Sequence, residues 1–224
     1  MFKHYIITRY NLNFRDWKRD KNGKEIRTRY WLKHRDNLFK NVCMPSVFGQ
    51  LNQSFKWIVL TDRDGPHIEL DPRITQLRVS GKFWQFELAL FLSGDCEEPF
   101  IITTRLDNDD AFHEDTVDDI QNCFNCQEME FLNLRNGFLI HGNKVYKSSH
   151  ASNQFITLIE ASDNPKTVYV DTHGNAKNHG IVRQLTGKRY WVRMMHNRNM
   201  VRDNMATKEY CGKIQVKGFN LWPS

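Results

Sequence analysis

The 224-residue sequence predicts an α/β fold built on a mixed, mainly parallel central sheet flanked by helices. Two observations carry that expectation. Three short apolar segments, HYIIT at 4–8, FKWIVLT at 55–61 and FIITT at 100–104, are rich in β-branched and aromatic residues and nearly continuous, the pattern of strands covered on both faces. Helix-period segments separate them, giving the order strand, helix, strand, helix, strand that parallel crossovers require.

Taken in order, the first strand leads into a charged stretch where Asn22-Gly23 turns a loop or hairpin able to hang over the domain. Leu38, Phe39, Val42, Cys43, Val47, Phe48 and Leu51 then share one helix face, which Pro45 must kink or divide. After the second strand, residues 84–92 form an apolar helix that stops at Gly94. The third strand precedes a helix opened by Glu114 and Asp115, whose carboxylates suit its positive end, with Val117, Ile120 and Phe124 on one face. Beyond it the pattern changes. Residues 130–134, 137–141, 144–147 and 190–195 read as short strands around Asn136-Gly137 and Gly142-Asn143 turns, a smaller C-terminal antiparallel portion. Residues 155–161 read as a short helix capped by Ser152 or Asn153. Without a repeat or a Pro-, Gly- or Ser-rich linker, residues 1–224 are expected to form a single domain.

Composition narrows the function classes. Hydrophobic residues at 40% and charged residues at 26% exclude disordered and collagen-like chains, and a chain of this length buries roughly 70% of its extended surface. No run approaches the ~18 apolar residues of a membrane span, and residues 1–10 lack the apolar run of a signal peptide, so the expected location is cytoplasmic. Five cysteines with a lone Cys123-x-x-Cys126 read as ordinary thiols. The net charge of +6 is divided unevenly: +8 over residues 1–40, −9 over 41–180 and +7 over 181–224. Basic ends suit a nucleic acid or a small anionic ligand; the acidic middle argues against a surface that tracks a phosphate backbone, unless its carboxylates hold metal.

In an open parallel α/β sheet, ligands bind beyond the carboxyl ends of the strands. Those exits are polar here: Thr8-Arg9, Thr61-Asp62 and Arg105-Leu106-Asp107-Asn108-Asp109-Asp110. Carboxylates crowded past a buried strand repel one another and call for a counter-ion, naturally a divalent cation. Asp107 and Asp109, one residue apart, can turn to one side and offer oxygen ligands to Mg²⁺ or Mn²⁺. A solvated acidic turn that caps the next helix is the plain alternative.

LFKNVCMPSVFGQLNQSFKWIVLTD followed by TTRLDNDDAFHEDTVDDI resembles the "putative rhamnosyltransferase" family of nucleotide-sugar glycosyltransferases, and the likeness resumes at SNQFITLIE and YWVRMMHNRNM. The resemblance implies a glycosyltransferase-A-like (Rossmann-like) fold. It also implies a donor-binding half over about 1–110 and an acceptor-binding half over about 111–224. The implied activity is metal-dependent transfer of rhamnose or another hexose, from a UDP- or dTDP-linked nucleoside diphosphate sugar to a glycan or glycoconjugate hydroxyl. Asp107 and Asp109 become the DxD carboxylates, with Mn²⁺ or Mg²⁺ as the cofactor. RMMHNRN is similar to the metal-site segment of β-1,4-galactosyltransferases, which makes His196 the third ligand and His173 and His179 its rivals. Thr8, Arg9, Asp62, Arg105 and Asn108 would line the nucleotide site, and Glu160, or else Asp163, would take the acceptor's proton. Trp17, Tyr30, Trp31, Trp84 and Trp191 could stack on sugar faces or fill the core, Trp17 being the best candidate for an exposed ring. Nucleic acid is not an expected partner, and peripheral membrane contact is compatible with the basic ends. A nucleotidyltransferase, or a basic nucleic-acid- or glycan-binding module without catalysis, is the alternative.

Overall fold

The computed structural model describes residues 1–13, 18–20, 22–196, 199, 208–213 and 217–221; Trp17 lies outside them. Strand β1 (Phe2–Arg9) is central because residues 4–8 are all at most 1% exposed. Its neighbours β2 (Lys56–Asp62) and β4 (Phe100–Arg105) both run parallel to it, with Ile7 opposite Ile58 on one side and Arg105 on the other. The sheet extends through β3 (Thr75–Val79) on one edge. On the other edge it continues through β9 (Ile156–Ala161), β6 (Met129–Leu134) and β10 (Ile181–Leu185), giving seven strands in the order β10-β6-β9-β4-β1-β2-β3. A second, five-stranded sheet, β12-β8-β7-β11-β5, comprises β5 (Asp110–Phe112), β7 (Asn136–His141), β8 (Lys144–Ser149), β11 (Trp191–Met195) and β12 (Tyr210–Lys213). It is antiparallel except where β7 meets β11.

The main sheet is covered on both faces, which explains its continuous apolar strands. Ile6, Val59 and Ile102 face one cluster with Phe39, Val47 and Trp191, while Tyr5, Ile7, Ile58 and Ile101 face another with Leu88, Leu92 and Leu158. The first cluster lies under helix α1 (Arg29–Leu38), a π turn (Phe39–Cys43) and α2 (Met44–Phe48). The π turn falls where Pro45 removes a backbone donor, the break that this proline was expected to impose. Helix α3 (Trp84–Asp95) covers the other face through Trp84, Leu88 and Leu92. Helix α4 (Thr116–Gln121) begins after Asp115, as expected. Asn22-Gly23 also turns as expected, with Gly23 at φ 75° and Arg19 bridging Glu25.

Three expectations fail. Residues 130–134, expected in the smaller antiparallel portion, form β6 inside the main sheet, paired with β9 and, in parallel, with β10. Residues 155–161 form no helix: Ile156 and Leu158 face one apolar cluster and Phe155 and Ile159 the other, a period of two buried on both sides. Asn153 still fixes the entry, accepting from the Phe155 amide at 2.8 Å and donating to the Leu134 carbonyl at 3.0 Å. Asn136-Gly137 is no turn but the start of β7, where a Cβ on Gly137 would come within 2.0 Å of the Trp191 ring. The hairpin turn lies at Gly142, φ 61°.

Candidate active site

A cavity of about 870 Å³, within the usual size of a ligand pocket, opens at the carboxyl ends of β1, β3 and β4. Its wall carries the cations Arg9, Arg27, Arg35, Lys82, Arg105 and Arg193 and the carboxylates Asp107, Asp109, Asp110 and Asp171.

Arg9 and Arg105 are brought side by side because β1 and β4 are adjacent and parallel. Both bind Asp107: Arg105 through Nε at 3.2 Å and Nη2 at 2.9 Å, Arg9 through Nη2 at 3.3 Å. Burial opposes the charge on Asp107, but the guanidiniums outweigh it and hold the carboxyl below its usual range. The Tyr169 ring lies under both, 5.0 Å from the Arg9 guanidinium and 5.7 Å from that of Arg105. Trp84 meets that ring edge-on at 4.9 Å, and the Tyr169 hydroxyl donates to the Ile7 carbonyl. The two arginines are thus ordered from one side by a carboxylate and from the other by aromatic faces.

Asp109 sits in a second cluster. Helix α1 begins with Thr28 as its N-cap, whose hydroxyl accepts from the Trp31 amide, and places Trp31 and Arg35 one turn apart toward the cavity. The Arg35 fork bridges Asp109 Oδ2 and Asn108 Oδ1. His196 Nε2 lies 2.9 Å from the same Asp109 oxygen, and His34 Nε2 lies 3.2 Å from His196 Nδ1. His34 therefore offers a partner to the second imidazole nitrogen in either tautomer. Burial again opposes the Asp109 charge, and Arg35 with the His196 hydrogen bond more than compensates. Asp110, buried beside that charge, is pushed well above the usual carboxylate range; its Oδ1 accepts from the Met194 amide.

The donor set decides how a cation would fit. Asp109 lines the cavity with His196 bonded to it, but the Asp109 oxygen that faces His196 is shared with Arg35, so a cation held here would have to take Arg35's place on that carboxylate or use its second oxygen, with its remaining ligands from substrate phosphates and water. Among the described residues no three His, Cys, Asp or Glu side chains gather closely enough to enclose an ion. Asp107 is held by two guanidiniums, Arg9 and Arg105, and Asp109 by one, Arg35, which leaves Asp109 the less occupied of the two carboxylates.

Other sequence-derived candidates are placed differently. Thr8 is fully buried, and its hydroxyl accepts from the Trp57 indole at 3.0 Å. Asp62 holds the backbone of Asn13 and Asp64, shaping the loops beside the cavity without lining it. Asn108 is fully buried and donates to the Tyr10 carbonyl. Glu160 does not reach the cavity. It pairs with Ile101, four residues before Arg105 and so about 13 Å away along the strand, and its oxygens accept from the Lys166 and Thr167 amides. Asp163 follows it in an exposed bend at that same far end. His173 lines the cavity, its pKa lowered by burial and then by Arg105, whereas His179 lies 3.1 Å from Asp171 at the rim. Trp31 and Trp84 line the wall, Trp191 stacks on Phe155 in the core, and Tyr30 is exposed.

Sequence reasoning missed Arg35 and Tyr169. The Trp31–Arg35 spacing on a capped helix is a usable signal for the first; nothing local marks the second.

The sequence matches the family described as "Putative rhamnosyl transferase" over residues 18–208. No curated protein matches it. S. aureus TarS 1–349 in complex with UDP-GlcNAc is similar in structure, with a TM-score of 0.50 at 13% identity over 88% of this chain and 60% of that one. TarS 1–349 in complex with UDP gives 0.49 at 14% identity, covering 86% and 60%. The 2-C-methyl-D-erythritol 4-phosphate cytidylyltransferase of Francisella tularensis gives 0.40 at 14% identity, covering 96% and 95%. This chain thus spans 60% of the length of the TarS chain it resembles, and the likeness is one of fold: mixed α/β with a mainly parallel sheet. With the match running through both sheets and across the strand-exit cavity, the chain belongs to the "Putative rhamnosyl transferase" family, a family of glycosyltransferases.

Proposed function

We propose that the chain transfers a hexose, rhamnose or another, from a UDP- or dTDP-linked sugar to a glycan or glycoconjugate hydroxyl, in the cavity at the ends of β1, β3 and β4. The observation that carries this reading is the arrangement on one wall of the Arg9–Arg105 couple and of Asp109, to which His196 is bonded. The UDP-GlcNAc bound to the fold neighbour supports a nucleoside diphosphate sugar as the donor class.

In this proposal residues 1–110 form most of the donor side and residues 111–224 most of the acceptor side. The guanidinium forks of Arg9 and Arg105 match phosphate oxygens, and Asp107 with Tyr169 keeps them aligned before the donor arrives. Asp109 and His196 would hold Mn²⁺ or Mg²⁺, whose charge offsets the negative charge that builds on a leaving diphosphate. Arg35 steadies Asp109 and keeps the Asn108-Asp109 turn in register with β4. With Glu160 and Asp163 at the far end of the sheet, Asp171 is our choice to take the acceptor's proton: it lines the cavity and its side chain remains 31% exposed. A cytoplasmic location belongs to the same reading, supported by five free thiols. The described residues contain no helix long and apolar enough to cross a membrane.

A donor screen tests this. UDP- and dTDP-sugars, dTDP-rhamnose included, are incubated with the protein and Mn²⁺, and released nucleotide is measured. Release from at least one donor, suppressed by EDTA, is expected; no release from any, together with no binding of UDP or dTDP, would overturn the reading.

A further inference from the structure

Helix α3 buries Trp84, Leu88 and Leu92 against the sheet. Its opposite side carries Phe83, Phe86 and Leu90, which are 64%, 69% and 64% exposed. Spaced i, i+3 and i+7, these side chains form one ridge that points away from the buried stripe. A solvated helix face ordinarily carries polar residues, and contiguous exposed apolar surface marks a contact site.

The surroundings identify the occupant. Lys82, adjacent to Phe83, is exposed and also lines the cavity, as do Trp84 and Gln85, so the ridge starts at the cavity mouth. Arg63 and Arg78 flank the first turn, where Arg78 donates to the Arg63 carbonyl, and the carboxylate there, Glu87, is already held by Arg63. At the far end Lys3 and Lys56 share Asp95, while Glu97 is exposed beyond the helix. An apolar ridge with cations around its leading end matches the boundary of an anionic bilayer, where rings settle among acyl chains and Lys or Arg meets headgroup phosphates.

We propose that α3 is a membrane-contact face: Phe83, Phe86 and Leu90 enter the headgroup boundary of an anionic lipid surface, Arg78 and Lys82 engage its phosphates, and the cavity mouth is held at that surface. The inference is independent of the donor assignment, because it concerns binding without turnover.

Co-sedimentation of the full chain with vesicles of equimolar phosphatidylglycerol and phosphatidylcholine, or of phosphatidylcholine alone, tests it at about 0.1 M salt, where charges act over about 10 Å. The chain is expected to bind the anionic vesicles and to be released as salt rises. The double variant Phe86→Ser/Leu90→Ser should partition about tenfold less or weaker, with an unchanged unfolding midpoint, since both side chains are already exposed. If that variant is destabilised, the single variants Phe86→Ser and Leu90→Ser take its place. No binding of the native chain to anionic vesicles, or undiminished binding of the variants, would overturn the proposal. So would a solution dimer that the same substitutions dissociate, which would assign the ridge to a second copy.

Discussion

Replacing Arg105 with methionine keeps an unbranched stem as far as the position of Nε and removes the fork. Asp107 then retains one contact, Arg9 Nη2 at 3.3 Å, in place of three. Both partners are largely buried, with side chains 14% and 24% exposed. Breaking a buried pair outright costs about 3–5 kcal/mol, and the remaining Arg9 contact should keep the loss near 2 kcal/mol. The effect on a bound diphosphate is separate. Losing charge-assisted hydrogen bonds worth about 1.5–3 kcal/mol weakens the dissociation constant roughly 10- to 150-fold. Isothermal titration of UDP and dTDP in the presence of Mn²⁺ reads the second effect, and urea unfolding the first. Arg105→Lys should fall between, because a point charge replaces a bidentate one. Methionine binding nucleotide as tightly as arginine would remove Arg105 from the phosphate site.

Three further outcomes follow from the same geometry. Thr8→Val should leave the Trp57 indole N–H buried without its partner and cost about 1–3 kcal/mol in urea unfolding, with nucleotide affinity unchanged; weakened affinity at full stability would return Thr8 to the binding wall. Asp171→Asn should lower turnover far more than UDP affinity, and a native rate would exclude it as the proton acceptor. His4, fully enclosed between Thr104 and Gln121, has its pKa lowered by burial to about 3. It is neutral when folded and protonated when unfolded below about pH 6.5, so its contribution is full above that pH and falls by about 1.4 kcal/mol per unit as pH drops toward 3. Comparing urea midpoints from neutral pH downward, His4→Gln should flatten the slope; an unaltered slope would show that His4 is not held neutral.

The parallel half of the fold was legible because burial on both faces writes itself as unbroken apolar runs, as in HYIIT and FIITT. The same rule, applied to residues 155–161, would have found β9; the helix reading followed the cap signal of Ser152 and Asn153 and ignored the β-branched content. Strand exits located the cavity, and Arg9, Arg105, Asp107 and Asp109 all line it. Position alone could not assign their work. Thr8 and Asp62 also leave strands, yet their polar atoms serve an indole and two loop amides. Arg35 lies 74 residues from Asp109 and Tyr169 lies 162 from Ile7, so only the tertiary fold shows that they meet. The chemistry of the DxD segment likewise could not reveal that Asp107 turns to Arg9 and Arg105 while Asp109 turns to Arg35 and His196.

The account stands on Asp109 and His196 acting together toward a cation and a diphosphate. Thermal unfolding of the native chain and of Asp109→Asn, each with UDP in Mn²⁺ and in EDTA, tests this most directly. Ligand bound only to the folded state raises its apparent stability. The native midpoint should rise with UDP in Mn²⁺ and much less in EDTA, and the asparagine variant should lose that difference, its ligand-free midpoint being lower because Arg35 keeps no carboxylate partner there. Equal stabilisation of the native chain with and without metal, or an undiminished Mn²⁺ effect in the variant, would contradict it.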